Sequence, residues 1–220
     1  MKSEKQIEIK DNKPNYLLKM RILFVTNFYQ LYGANRSLLS IMEKFKESGD
    51  EVCLLLPRKG DYSEELDKKS INYIVAPYPP TLLYFKKFSR ISFYFLQAML
   101  DITTLLVFPY ILLRIWRFRA DLIYSNSCAD NLGILISKIL RKKHITHVRD
   151  FMDLDHGSKF IFGKKAKRKY INMSDAVIYV SNAVATHTQL SNVLPPNHIV
   201  IYNGVKSIAG LCQGKKYRGI

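Results

Sequence analysis

Seven short runs rich in Val, Ile and Leu alternate with helical stretches along this chain, at residues 22–26, 51–56, 72–76, 121–125, 144–148, 176–180 and 199–202. Most of the runs are continuously apolar instead of alternating with polar residues, as strands covered on both faces must be. Helical periodicity is clearest at residues 35–48, 91–117, 129–140, 163–173 and 182–191. Strands that alternate with helices call for right-handed crossovers and a parallel sheet. The expected fold is therefore α/β: a doubly wound, mainly parallel, seven-stranded Rossmann-like sheet with helices on both faces. Ligands of such sheets gather beyond the carboxyl ends of the strands. The residues just after each run are the ones that bear on function.

Composition narrows the class. The chain has 220 residues, of which 48% are hydrophobic, so it can bury one large core and is not a disordered chain. Cys53, Cys128 and Cys212 are odd in number and far apart. They suit neither a disulfide framework nor a zinc site, and a reducing cytoplasm is expected. Residues 1–19 form a polar, mixed-charge extension without the apolar core of a signal peptide. The net charge is +16, with clusters at 138–143 and 164–169. These clusters are not interleaved with aromatics, and no nucleic-acid-binding motif appears, so nucleic acid is not an expected partner. An anionic membrane or a phosphorylated substrate suits the charge.

The first strand–turn–helix passage carries the first site candidates. Gly33, Ala34, Asn35 and Arg36 open a helix directly after a strand. Unpaired backbone N–H groups and a partial positive charge face any anion placed there. An ordinary tight turn gives the same pattern. At the end of the fifth strand, His147, Arg149 and Asp150 suit hydrogen bonds to a sugar and pairing with a phosphate. An internal Arg–Asp pair with a sheet histidine is the alternative. Asn126, between Ser125 and Ser127, follows the fourth strand as a polar contact or as the cap of the next helix. Ser181 follows the sixth strand, and Asn203-Gly204 reads as a turn. Asp153 and Asp155 form a D-x-D triplet, a pattern that arises often by chance.

Six blocks fall in a familiar order: Arg21-Ile-Leu-Phe-Val-Thr26; Gly33-Ala-Asn-Arg-Ser-Leu-Leu39; Ala120-Asp-Leu-Ile-Tyr-Ser-Asn-Ser127; His147-Val-Arg-Asp150; Ser174-Asp-Ala-Val-Ile-Tyr-Val-Ser181; and Ile201-Tyr-Asn-Gly-Val205. Over residues 20–205 the chain resembles the N-terminal, acceptor-side domain of family 4 glycosyltransferases, retaining enzymes of the glycosyltransferase-B fold. The resemblance implies one half of that fold and a nucleotide-sugar donor as substrate, with no metal or other cofactor. It places Gly33 and Ala34 near the donor diphosphate and His147 near the transferred sugar. Tyr32-Gly33 stands where the family usually has two glycines, Asn35 where an acid is common, and Asp150 where Glu is common. The family's second, donor-binding domain carries a pair of glutamates, and this chain has no glutamate after Glu65. Residues 206–220 read as an irregular tail, so the isolated chain is expected to be inactive. The function expected is half of a glycosyltransferase acting on a lipid-linked or saccharide acceptor in cell-surface polysaccharide or glycolipid biosynthesis. The alternative is a non-catalytic module that binds a glycan, a lipid phosphate or a partner protein.

One segment stands apart. From Ile91 to Leu113 the only formal charge is Asp101. A membrane-spanning helix there would put the first three strands and the last four on opposite sides of a bilayer, so one sheet could not form. Basic residues flank the segment: Lys86, Lys87 and Arg90 on one side, Arg114, Arg117 and Arg119 on the other. A helix at 91–116, kinked or ended at Pro109, that lies on an anionic membrane from the cytoplasmic side is one reading. A helix buried between the sheet and a neighbouring helix is the other.

Overall fold

The computed structural model describes residues 19–78, 90–129, 131–157 and 163–204. The N-terminal extension through residue 18, Lys86 and Lys87, and the tail 206–220 lie outside them. Seven strands form one sheet: β1 (Arg21–Val25), β2 (Glu51–Leu56), β3 (Asn72–Val75), β4 (Leu122–Ser125), β5 (Lys143–Val148), β6 (Ala176–Tyr179) and β7 (His198–Val200). Their order is β3-β2-β1-β4-β5-β6-β7, and every pairing is parallel. The helices are α1 (Gly33–Glu47), α2 (Asp61–Lys68), α3 (Arg90–Trp116), α4 (Leu132–Leu140), α5 (Asp153–His156), α6 (Gly163–Ile171) and α7 (Asn182–Gln189). This is the doubly wound Rossmann-like arrangement expected, with the strand order reversing at β1 and β4.

Continuous apolar strands follow from burial on both sides. Ile22 and Phe24 pack with Leu38, Leu39 and Met42 of α1 and with Tyr62 and Leu66 of α2. Their neighbours Leu23 and Val25 point the other way, toward Phe108, Ile111 and Ile115 of α3 and Leu132 and Ile136 of α4. A third cluster joins Val148, Val177 and Tyr179 to Ile171 of α6 and to Val184 and Ala185 of α7. The β1–β4 step is further tied by Asp121. Its carboxylate accepts from the Arg21 backbone N–H at 3.0 Å and from the guanidinium at 3.2 Å.

Three local differences from the sequence expectation have physical causes. Helix α2 has only eight residues and offers just two apolar anchors, Tyr62 and Leu66, too few to show a period. The short α5 lies within the loop after β5, where backbone and carboxylate bonds set the turn. Helix α4 starts at Leu132 and not near residue 129, because Ser127 Oγ accepts from the Ala129 N–H in a tight turn ahead of it.

Helix α3 runs through Pro109 to Trp116, so of the two expectations at Pro109, a kink or an end, the end is not what the structure contains. Only its C-terminal part is core: Phe108, Ile111 and Ile115 are buried on the sheet. Among the described residues, nine large apolar side chains along it are exposed: Tyr94, Phe95, Met99, Ile102, Leu105, Leu106, Tyr110, Leu113 and Trp116. The segment Tyr94–Trp116 has the length and composition of a membrane span. The strand pairing forbids one, since β4 follows α3 and pairs directly with β1, which precedes it. The reading of α3 as wholly enclosed between sheet and helix is likewise incorrect over its N-terminal two-thirds.

Gly133 gives a direct test of how closely α4 sits on the sheet. A Cβ there would lie 2.0 Å from Ser125 Oγ and 3.0 Å from His144 Nε2, both buried. Gly133→Ala should therefore destabilise the domain by about 1–3 kcal/mol, the usual cost of overpacking. Gly33→Ala, where nothing lies within 4 Å, should leave the denaturant midpoint unchanged or raise it. Equilibrium urea unfolding of the two variants reads the difference.

Candidate functional site

The strand order reverses at β1 and β4, and the carboxyl ends of β1, β4 and β5 lie where this architecture receives ligands. Helix α1 begins just after β1, at the same end of the sheet. Tyr32 takes the N-cap position with extended backbone and offers no side-chain cap. The first-turn N–H groups of Gly33, Ala34 and Asn35 therefore have neither an intrahelical acceptor nor a capping oxygen. No atom lies within 4 Å of the side where Gly33 would carry a Cβ.

The Asn35 side chain is 1% exposed and is taken up by the loop. Its Nδ2 donates to Phe28 O at 2.9 Å and to Gln30 O at 2.7 Å. Its Oδ1 accepts from Thr26 Oγ1 at 2.9 Å and from Asn126 Nδ2 at 3.3 Å. Those four bonds fill the capacity of a carboxamide. A carboxylate in its place lacks the two donors that hold the β1–α1 loop, which explains an amide here.

Asn126 extends this network to the cation of the site. Its Nδ2 also donates to Ala34 O at 3.3 Å, while its Oδ1 accepts from Arg149 Nε at 3.0 Å. Arg149 Nη1 donates to Ser37 Oγ at 2.9 Å and to Asn203 Oδ1 at 3.2 Å. Arg149 thus gathers α1, the loop after β4 and the segment after β7. All three partners are neutral, and no carboxylate among the described residues pairs with it. The alternative of an internal Arg149–Asp150 pair is not what the structure contains. Burial lowers the guanidinium's pKa, while the nearby hydroxyls of Tyr124 and Tyr62 act the other way. Arg149 Nη2, His147 Nε2 and the Tyr62 hydroxyl are all buried without a protein partner.

His147 is 5% exposed, and its Nδ1 lies 2.5 Å from Tyr124 Oη. Burial, reinforced by Arg149, pushes its pKa down to about 3. The ring is neutral at physiological pH. When Tyr124 donates its O–H to Nδ1, the ring proton lies on Nε2. A second histidine, His144, lies deeper between Ser125 Oγ at 2.9 Å and Ser174 Oγ at 3.0 Å. Burial lowers its pKa to about 4.

The other sequence candidates lie outside this cluster. Arg36 is exposed on α1 and donates to Leu31 O at 3.0 Å. Ser181 caps α7 by accepting from the Val184 N–H at 3.2 Å. Asp150 accepts from the Met152 N–H at 3.1 Å, a local turn bond. Asp153 is held by Lys164 at 2.6 Å and His187 at 2.7 Å, and Asp155 accepts from the Phe151 N–H at 3.0 Å. Among the described residues no group of three His, Cys, Asp or Glu side chains is arranged to hold a metal. Sequence reading missed Tyr62, Tyr124 and Ser37 as members of the cluster, and took Asn203 for a turn only. Ser37 and Tyr124 sit inside the blocks Gly33–Leu39 and Ala120–Ser127, whereas Tyr62 lies on a helix with no periodic signal.

Comparison with known proteins agrees with this architecture. The sequence profile described as Glycosyltransferase Family 4 matches residues 32–207. Among solved structures, Anabaena Alr3699/HepE in complex with UDP and glucose is 21% identical, with a TM-score of 0.59 over 84% of this chain and 45% of that one. A glycosyltransferase from Rickettsia africae is 19% identical, with a TM-score of 0.55 over 85% and 44%. MurG of Acinetobacter baumannii is 10% identical, with a TM-score of 0.54 over 84% and 47%. The chain thus spans about half the length of these structures. No curated protein sequence matches it.

Two expectations follow from the site's construction. Asn35→Ala removes every bond of the loop anchor and should lower stability by about 1–3 kcal/mol. Faster amide exchange over residues 27–32 should accompany that loss, whereas Arg36→Ala on the exposed face should shift stability by no more than about 0.5 kcal/mol. The second concerns pH. His144 and His147 have folded pKa values near 4 and 3 against roughly 6.5 unfolded. Below that unfolded value the unfolded chain binds more protons than the native one, so their contribution is complete above about pH 6.5 and lost as pH falls toward 4. Each should cost roughly 2 kcal/mol by pH 5. Urea midpoints at pH 7 and pH 5 should show the drop, and His147→Gln should reduce it.

Proposed function

Because this chain belongs to glycosyltransferase family 4, we propose that this cluster forms the acceptor-side half of a retaining, nucleotide-sugar-dependent transferase site. The observation that carries the reading is Arg149, a half-buried cation with only neutral partners, linked through Asn126 to the uncapped N-terminus of α1. Backbone N–H groups at Gly33 and Ala34, together with the guanidinium, suit the oxygens of a phosphate. Neutral His147 suits a hydrogen bond to a sugar hydroxyl and not the role of a standing cation. HepE binds UDP and UDP-glucose in its solved structures, which supports a nucleotide-sugar as donor here. No metal is assigned a part. A lipid-linked or saccharide acceptor from surface polysaccharide or glycolipid synthesis completes the proposal.

Transfer also requires the donor to be held against the acceptor, and oriented placement supplies a large part of the rate enhancement. The 220-residue chain spans about half the length of the solved structures it resembles. By itself it is therefore expected to bind UDP weakly and to turn over no nucleotide-sugar. Calorimetric titration with UDP and UDP-glucose should give weak binding that Arg149→Ala reduces about tenfold, the worth of a charge-assisted hydrogen bond. A bulky residue at Gly33 should weaken it as well. Activity should appear only when a donor-binding domain is supplied. Robust transfer by the 220-residue chain, abolished by His147→Ala, would overturn this division of labour. Binding of glycans with no affinity for UDP would favour the non-catalytic module.

A further inference from the structure

We propose that α3 and α6 together form a docking surface for an anionic lipid bilayer, with α3 lying flat in the interface and α6 supplying surface charge. The inference goes beyond the transferase reading and does not depend on it.

Three observations converge. The exposed face of α3 is too wide for a single packing seam, since adjacent pairs such as Phe95 with Tyr94 and Leu105 with Leu106 are all more than half exposed. Soluble surfaces rarely carry a contiguous apolar area of that kind without a partner. Three polar side chains along the same stretch bond within the helix. Thr103 and Thr104 return their hydroxyls to Met99 O and Leu100 O at 2.8 and 2.9 Å, and Arg114 reaches Tyr110 Oη at 3.0 Å. Between Tyr94 and Trp116 the formal charges are Asp101 and Arg114 alone. Asp101 is turned to the edge facing α4, where it lines a cavity with Thr104 and Asn131.

Charge complementarity chooses the occupant. Trp116, 65% exposed, ends the helix among exposed Arg114, Arg117 and Arg119, the aromatic-and-basic border found where helices meet headgroups. Helix α6 has an exposed basic side with Lys165 and Lys169, while Lys164 is paired with Asp153. Right-handed crossovers put α3, α4 and α6 on the same face of the sheet. The side chains also connect them: Lys167 Nζ donates to Asn131 Oδ1 at 3.1 Å, and Asn131 lines the cavity that Leu105 and Asp101 share. Apolar insertion and basic attraction are therefore offered by one face. The pairing of β1 with β4 keeps both ends of α3 on the same side of the bilayer.

Trp116 is the chain's single tryptophan, so its emission reports docking directly. The 220-residue chain should co-sediment with vesicles containing phosphatidylglycerol, with a blue shift of Trp116. Binding should fall about tenfold or more as ionic strength rises from roughly 0.05 to 0.5 M. The triple variant Arg117→Gln, Lys165→Gln, Lys169→Gln, altered only at exposed positions, should lose at least about tenfold in affinity. Leu105→Ser with Leu106→Ser should abolish the blue shift. Absence of binding to anionic vesicles would overturn the proposal, as would equal, salt-insensitive binding to phosphatidylcholine alone. A concentration-dependent dimer that shifts Trp116 without vesicles, and that the Leu105/Leu106 variant dissolves, would overturn it in favour of a second copy of the chain.

Discussion

The parallel ladder between β1 and β4 is the contact on which the rest of the molecule depends. It runs from Ile22 against Leu122 to Val25 against Ser125, and the Asn126 N–H then donates to Val25 O at 2.9 Å. That last bond fixes Asn126 beside the start of α1, from which it holds both Ala34 and Arg149. Without the ladder, the β1–α1 loop and the end of β5 would have no common wall. The same ladder decides the fate of the apolar helix that intervenes, because it returns the chain to the strand that precedes it.

The site is built almost wholly from neutral groups around one cation. Burial holds His144 and His147 uncharged, and the Tyr124 and Tyr62 hydroxyls remain protonated, pushed up by the same cause, to about 12 for Tyr124. Arg149 therefore keeps its charge in surroundings that neither neutralise nor solvate it fully. An incoming anion gains more from such a group than from an exposed lysine, because little water must be displaced and the partners are already oriented. The basic residues of α6 and of the end of α3 act differently. Lys165, Lys169, Arg117 and Arg119 are exposed, screened by salt and useful for attraction over a distance, not for holding a group in place.

The fold was legible because burial on both sheet faces leaves continuous runs of Val, Ile and Leu, and all seven appear in the sequence. Their boundaries moved by a residue or two where backbone bonds, and not side chains, set the ends. The resemblance to family 4 glycosyltransferases rested on blocks such as Gly33–Leu39 and His147–Asp150, and the family match spans both. Partnerships within the site were less legible. Asn126 reads in the sequence as a polar contact or a helix cap; α4 begins only after Asn131, and the Asn126 carboxamide accepts from Arg149 instead of capping that helix. Tyr62 was hidden because α2 is short and charged. Ser181 and Arg36 stood in suggestive places, yet local backbone atoms claim their side chains. Long-range hydrogen bonds leave no spacing in a sequence, so the residues at loop ends could be named but their partners could not.

The distance in sequence between the two central strands also shapes how the molecule comes into being. Arg21 and Asp121, which clasp one another at the start of β1 and β4, are 100 residues apart. At ribosomal speeds of roughly 5–20 residues per second, β1 waits on the order of 5–20 s for its partner. Through that interval β1–β3 present an open edge on one side, and α3 emerges with its apolar face uncovered. The order of synthesis thus leaves the nascent chain with an unpaired strand edge and an uncovered apolar helix face until β4 arrives.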